Sequence, residues 1–198
     1  MPTRDEALHL VQTTNWQAAS QAFGSSHSTL IGLVVEAWAR LGEDRFALEG
    51  APKVAGLKSD AILTIGINAV GVVEVEGTKI VDRIQRFSRY FRSDQLCREA
   101  FGLVIAYQSA LGGQCAYPGT TAEGILAAAL DVANEYPDNP LAVVLAQKQY
   151  QRPDHLDPAI PLRQGYEWAW GVFARITACV FHQGNRIHIA LWPAAGLA

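Results

Sequence analysis

The sequence predicts an α/β domain with a mixed central sheet flanked by helices. Its 198 residues suit a single domain, and 49% of them are hydrophobic, which is enough for a packed core. Segments with helical spacing of apolar residues alternate with Ile- and Val-rich runs of strand length, a pattern typical of α/β folds. We expect one domain over residues 1–198, with its core over about 28–146 and a β-rich C-terminal extension over about 147–198.

The predicted elements follow from apolar spacing and from the residues that end helices. Gly42 ends the second helix, and Thr78 can begin the helix that follows the strand pair. The region around Asn68 predicts a turn between two strands, and Gly184-Asn185 predicts another in the aromatic tail. In chain order, we expect helices over 4–22 and 28–41, an irregular strand or loop over 45–56, strands over 60–67 and 71–76, a helix over 78–92, a strand over 101–107, a helix from 120 or 121 to 136, a strand over 141–146, and a strand pair within 166–192.

Charge and cysteine content narrow the classes of function. With 16 Lys and Arg against 19 Asp and Glu, the chain is not a general polyanion binder, so contact with DNA requires a local basic patch. No apolar run reaches the ~20 residues that span a bilayer, and the N-terminus lacks the apolar stretch of a signal peptide. We therefore expect a soluble cytoplasmic protein with no membrane partner. Cys97, Cys115 and Cys179 lie far apart, which argues against a disulfide framework or a zinc site.

The strands over 60–67 and 71–76 carry the acids that point to chemistry. Glu74 and Glu76 are two residues apart, so they share one face of their strand. Asp60 joins that face if residue numbers opposed across the hairpin have an even sum, which needs an odd loop or a bulge. The odd-numbered apolar residues favour the even sum, because it places them together on the other face. They are Ala61, Leu63, Ile65, Val73 and Val75.

Three acids on one sheet face repel one another unless a cation or a shared proton lies among them. Carboxylate oxygens select Mg²⁺, Mn²⁺ or Ca²⁺ rather than zinc. Either a cation of this kind or a shared proton among Asp60, Glu74 and Glu76 would relieve the repulsion. The alternative is a structural or interaction protein of another α/β fold, whose acids line the solvent face of an amphipathic strand.

Ser59-Asp60 at the start of one strand, Glu74-x-Glu76 on the next, and a helix directly afterwards resemble the PD-(D/E)XK, or restriction-endonuclease-like, nuclease superfamily. The resemblance covers roughly residues 28–107, a helix, hairpin, helix and strand. It implies a restriction-endonuclease-like core within the α/β fold. The sequence departs from the pattern at two places, because Ser59 replaces the usual Pro and Glu76 stands where Lys is commonest.

The resemblance implies a metal-dependent nuclease that hydrolyses phosphodiester bonds in DNA with Mg²⁺ or Mn²⁺. Asp60, Glu74 and the Val75 carbonyl would hold the metal. Glu76 or Lys79 would orient or deprotonate the attacking water. The two departures favour the alternative of a catalytically decayed member that binds DNA or a protein.

Glu36, on the preceding helix, matches the acid that many members of the superfamily place beside the metal. The resemblance therefore makes it a further candidate metal neighbour. Glu36 also lies beside the apolar stripe of its helix, and the alternative is a solvated helix residue without a role at the site.

Basic residues recur on the helix over 79–92 at intervals of three or four. Lys79, Arg83, Arg86 and Arg89 form this stripe, which predicts a face that follows the phosphate backbone of DNA. The alternative is a solvated helix face whose arginines complement the helix dipole.

The aromatic tail offers two further signals. An exposed patch at Trp168 and Trp170 would indicate a subunit interface, and a homodimer would suit an enzyme that cuts both strands of DNA. A two-residue turn at 184–185 places His182 opposite Ile187, so that His188 faces the other side of the ribbon. The two histidines are therefore not expected to form one site.

Overall fold

A computed structural model describes residues 3–14, 27–107, 122–146, 176–183 and 186–191. In chain order, its helices and strands are α1 (Thr3–Thr13), α2 (His27–Arg40), β1 (Arg45–Leu48), β2 (Lys53–Val54), β3 (Leu57–Lys58), β4 (Ala61–Ile65), β5 (Asn68–Glu76), α3 (Ile80–Gln85), α4 (Phe87–Tyr90), β6 (Phe101–Tyr107), α5 (Ala122–Glu135), β7 (Leu141–Ala146), β8 (Ile176–Gln183) and β9 (Arg186–Leu191). Among these residues, no helix combines the length and apolar character needed to cross a membrane.

In the part of the chain that the structure describes, seven strands form one mixed sheet in the order β1-β4-β5-β6-β7-β8-β9. The strands β1, β4 and β5 pair antiparallel in that order, and β5 to β8 run parallel. The strand β9 returns antiparallel to β8. Helices lie between β5 and β6 and between β6 and β7, as a parallel pair requires a crossover. The predicted α/β fold with a mixed sheet between helices is confirmed.

The hairpin between β4 and β5 has the even register that the apolar pattern predicts, at the end where the acids lie. Ala61 opposes Val73, and the same register extended by one residue places Asp60 opposite Glu74. The predicted turn around Asn68 is displaced, because Asn68 already pairs with Ile65. The turn is Gly66-Ile67, where Gly66 supplies the positive φ of 58° that a tight hairpin turn needs.

A β-bulge reconciles this two-residue turn with the even register. Near the turn the opposed residues have an odd sum, and the register shifts between Leu63 and Thr64. The extra residue is Val70, because Leu63 pairs with Gly71 and Thr64 pairs with Ala69. Without the bulge, Asp60 and Glu74 would lie on opposite faces of the hairpin.

Each face of the sheet is covered by its own apolar cluster. On one face, α1 and α2 pack on the odd-numbered residues of β4 and β5, with Trp38 at the centre. On the other face, α3, α4 and α5 pack on Ile62, Val72 and Val104. The charged end of β5 belongs to this second face, and it is the face that carries the candidate site.

Several predicted boundaries change in the structure. The helix expected over 78–92 is divided into α3 and α4, although Arg86 between them keeps helical φ and ψ of −61° and −24°. The region over 45–56, predicted as an irregular strand or a loop, contains β1 and β2, and the sequence does not predict the ribbon of β2 with β3. The strands over 101–107 and 141–146 are confirmed.

The C-terminal strand pair has the predicted backbone register. His182 opposes Ile187 and His188 opposes Phe181. The tryptophans behind the homodimer prediction, Trp168 and Trp170, lie outside the described residues.

Candidate functional site

Asp60 ties the start of β4 to the end of β5. Its carboxylate Oδ2 accepts a hydrogen bond of 2.6 Å from the Val75 backbone N–H. Its own backbone N–H donates to the Val73 carbonyl at 3.1 Å. Asp60 therefore holds β5 on both sides of Glu74, and the even register is what places it there.

His27, the first residue of α2, contacts both Asp60 and the end of β5 from the opposite face of the sheet. Its Nε2 lies 2.7 Å from the Val75 carbonyl oxygen and 3.3 Å from Asp60 Oδ2. A carbonyl oxygen only accepts hydrogen bonds, so Nε2 carries a proton here. Two oxygens, from Asp60 and Val75, thus converge on one donor. No sequence pattern pointed to His27, since its partners are 33 and 48 residues away along the chain.

Glu74 is fully buried and surrounded by donors from α3 and α4. The hydroxyl of Tyr90 donates a hydrogen bond to Oε1. Arg83 Nη1 lies 3.4 Å from Oε2, and Arg86 Nη1 lies 3.8 Å from Oε1. Burial raises the pKa of Glu74 to about 7, with a further rise from Asp60, against the opposing effects of Tyr90 and the two arginines.

Glu76 has the opposite character, although it lies on the same face of β5. Its Oε1 accepts hydrogen bonds of 2.9 Å from the backbone N–H groups of Gly77 and Thr78. Its Oε2 lies 2.9 Å from Arg83 Nε. Burial acts to raise the pKa of Glu76, but these backbone donors and Arg83 outweigh it and hold the pKa at about 2.

The arginines of the predicted basic stripe have partners within the chain. Arg83 bridges Glu74 and Glu76, while Arg86 donates to the Lys58 carbonyl at 3.2 Å. Arg89 donates to the Ala55 carbonyl at 3.2 Å. Any phosphate that binds Arg83 must compete with two carboxylates. The cation expected among the acids is thus supplied in this structure by guanidinium groups.

Two predicted site residues lie apart from these contacts. Glu36 is exposed and forms an ion pair with Arg40 one turn along α2. It lies nine residues beyond His27, about 13 Å along a helix that rises 1.5 Å per residue. Lys79 is exposed, directly precedes α3, and forms no ion pair with another described residue. The structure therefore does not bring Glu36 to the acids.

The predicted metal ligands fit a cation in part. Asp60 Oδ2 and the Val75 carbonyl converge, and both are the hard oxygen donors that Mg²⁺ and Mn²⁺ prefer. The third donor, Glu74, is engaged by Tyr90, Arg83 and Arg86. Within the described part of the chain, no group of three or more His, Cys, Asp or Glu is arranged to hold a metal ion.

Comparison with protein-family models, with curated proteins and with solved structures finds no match to this chain. The functional proposal therefore depends on the geometry of the site and on the sequence pattern.

Proposed function

We propose that this chain is a metal-dependent nuclease with a restriction-endonuclease-like core, which hydrolyses phosphodiester bonds in DNA. The order of α2, the β4–β5 hairpin, α3 and the parallel strand β6 agrees with the helix, hairpin, helix and strand of that superfamily. The observation that carries the proposal is the convergence of Asp60 Oδ2 and the Val75 carbonyl beside Glu74.

Asp60, the Val75 carbonyl and Glu74 would hold Mg²⁺ or Mn²⁺. A cation bound there would lower the pKa of its water and offset the charge that builds on the phosphate. Because Glu74 is bonded to Tyr90 and lies near two arginines, it becomes a ligand only by exchanging those contacts.

The pKa of Glu76 limits its role. With a pKa of about 2, this carboxylate is ionised at neutral pH and is a weak base. Of the two roles expected for Glu76, it can accept a hydrogen bond that orients the attacking water, but it is poorly suited to remove the proton. Lys79, which is exposed and directly precedes α3, is the second candidate for orienting or deprotonating the attacking water.

Cleavage of supercoiled plasmid and of single-stranded DNA, with Mg²⁺ or Mn²⁺, tests this proposal. Glu74→Gln keeps the size of the side chain and removes its charge. We expect it to reduce cleavage by at least about 100-fold, since it removes a metal ligand and its charge. The control is Glu36→Gln, a substitution of an exposed acid that we expect to leave the cleavage rate unchanged. Cleavage that survives Glu74→Gln would contradict the proposal.

One observation favours a second function, a catalytically decayed member of the same fold that binds DNA. The chain's own cations already compensate Glu74 and Glu76, so their charges do not require a metal. This alternative predicts DNA binding without cleavage and without affinity for Mn²⁺. An active nuclease would bind DNA, cleave it and bind Mn²⁺.

A further inference from the structure

The two-stranded ribbon of β2 and β3 presents two lysines side by side. Lys53 pairs directly with Lys58, and Val54 pairs with Leu57. Val54 and Leu57 pack into the apolar cluster under the ribbon, while both lysines are exposed. The ribbon therefore has an apolar inner face and a cationic outer face.

Like charges directly opposed across a strand pair destabilise it. Neither Lys53 nor Lys58 forms an ion pair with any residue that the structure describes. No ion pair in the described chain thus offsets their repulsion, and an anionic partner would. This charge complementarity is the observation that identifies the kind of partner.

The ribbon is held firmly against α4 and the segment that follows it. The Ala55 N–H donates to Gln95 Oε1 at 2.8 Å, and Arg89 donates to the Ala55 carbonyl. The Lys58 carbonyl accepts a hydrogen bond from Arg86 at 3.2 Å, and the Tyr90 hydroxyl oxygen lies 3.3 Å from it. Two arginines therefore lie against the ribbon, and Arg89, which forms no ion pair with any residue that the structure describes, adds to the positive charge of this surface.

The position of the ribbon links it to the candidate site. Lys58 is two residues before Asp60, and Tyr90 contacts both the Lys58 carbonyl and Glu74. A polyanion lying along the ribbon would thus pass beside Asp60, under which Glu74 is buried.

We propose that the β2–β3 ribbon is a contact surface for the phosphate backbone of DNA, with Lys53 and Lys58 each neutralising one phosphate beside Asp60. The proposal builds on the proposed function and adds the surface that holds its substrate. A phosphate backbone fits better than an acidic protein, because the lysines on the outer face of the ribbon are point charges, and Arg86 and Arg89 beside them donate to ribbon carbonyls rather than standing out as anchors of the kind that dominates protein interfaces.

The test is the salt dependence of binding to a fluorescent DNA duplex of about 30 base pairs in EDTA, which prevents cleavage. The slope of log K against log salt concentration is negative, and its magnitude should decrease by about 0.9 for each phosphate that a variant no longer neutralises. We expect that change for Lys53→Gln and for Lys58→Gln, and about 1.8 for the double variant. The matched control is Arg40→Gln, which removes one exposed charge from α2 on the opposite face of the sheet and should leave the slope unchanged.

The result separates this inference from the function on which it rests. If the wild-type protein binds DNA and the double variant has the same slope, the ribbon is not the contact surface, and the nuclease proposal stands. Equal reductions in slope for Arg40→Gln and the lysine variants would also overturn the inference, because net charge alone would explain them. If the wild-type protein binds no DNA in EDTA, the ribbon inference fails, and the cleavage assay with Mg²⁺ or Mn²⁺ decides the nuclease proposal separately.

Discussion

The two faces of β5 differ in what they contribute to the protein. The odd-numbered residues Val73 and Val75 are buried among apolar side chains from α1 and α2. The even-numbered residues change from apolar Val72 to Glu74 and Glu76 towards the end of the strand. The first face supplies stability through burial, whereas the second holds two acids, of which Glu74 is ionised at a cost in stability and Glu76 is ionised without that cost. A single strand therefore provides both the scaffold and the candidate site.

The largest expected effect comes from the apolar face. Trp38 is fully buried, and its Nε1 donates to the carbonyls of Phe46 and Thr64 at 3.0 and 3.1 Å. We expect Trp38→Ala to lower the free energy of unfolding by about 3–5 kcal/mol in urea titrations. The control Glu36→Ala, on the exposed side of the same helix, should change it by less than about 0.5 kcal/mol. A small effect of Trp38→Ala would show that this face does not carry the stability.

The next effect separates the two acids of the charged face by pH. The pKa of Glu76 is lowered to about 2, so its contribution to stability is present above its ordinary value of 4.5 and is lost as pH falls towards 2. The pKa of Glu74 is raised to about 7, so stability falls as pH rises from 4.5 through 7.

Unfolding titrations across this pH range should therefore give opposite results for two variants. Glu76→Gln should flatten the loss of stability at acid pH, and Glu74→Gln should flatten the decline towards neutral pH. Each change should be on the order of 2 kcal/mol. Identical pH profiles for the two variants would contradict the distinction between the acids.

A smaller effect concerns the donor that ties α4 to β5. Tyr90→Phe removes the hydroxyl that donates to Glu74 and whose oxygen lies 3.3 Å from the Lys58 carbonyl oxygen. We expect a decrease of about 1 kcal/mol in the free energy of unfolding, and a larger decrease above neutral pH, where Glu74 is ionised. Tyr136→Phe is the matched control, because its hydroxyl accepts from Arg92 on the surface. If both variants respond to pH alike, Tyr90 does not act on Glu74.

The smallest effect lies in the turn of the β2–β3 ribbon. Ala55 and Gly56 both have positive φ, at 50° and 77°, a conformation that suits glycine better than alanine. Ala55→Gly should raise the free energy of unfolding by about 0.5 kcal/mol, since relief of strain exceeds the added chain entropy. Ala47→Gly, in β1, should lower it by a similar amount, and thermal unfolding measures both. Destabilisation by Ala55→Gly would show that the turn is not strained.

The sequence predicted those parts of the site that depend on periodicity. The even register of Asp60 and Glu74 follows from alternation of apolar residues, and the structure confirms it. The alternation of apolar residues did not locate the turn, because the bulge at Val70 shifts the register by one residue between the turn and the acids.

The periodicity of the sequence could not predict the contacts that define the chemistry of the site. The bonds from Tyr90 and Arg83 to Glu74, and from His27 to Val75, join residues that are 9 to 48 positions apart. The ribbon was missed because β2 and β3 have two residues each, too few for a pattern of period two. Tertiary packing, rather than local sequence, determines these features.

The proposed function requires that Asp60, Glu74 and the Val75 carbonyl hold one divalent cation. Titration with Mn²⁺, followed by the electron paramagnetic resonance signal of the free ion, tests it most directly. We expect one bound Mn²⁺ for the wild-type protein and for Glu36→Gln, and none for Asp60→Asn. Binding that Asp60→Asn leaves intact, or no binding to the wild-type protein, would contradict the claim.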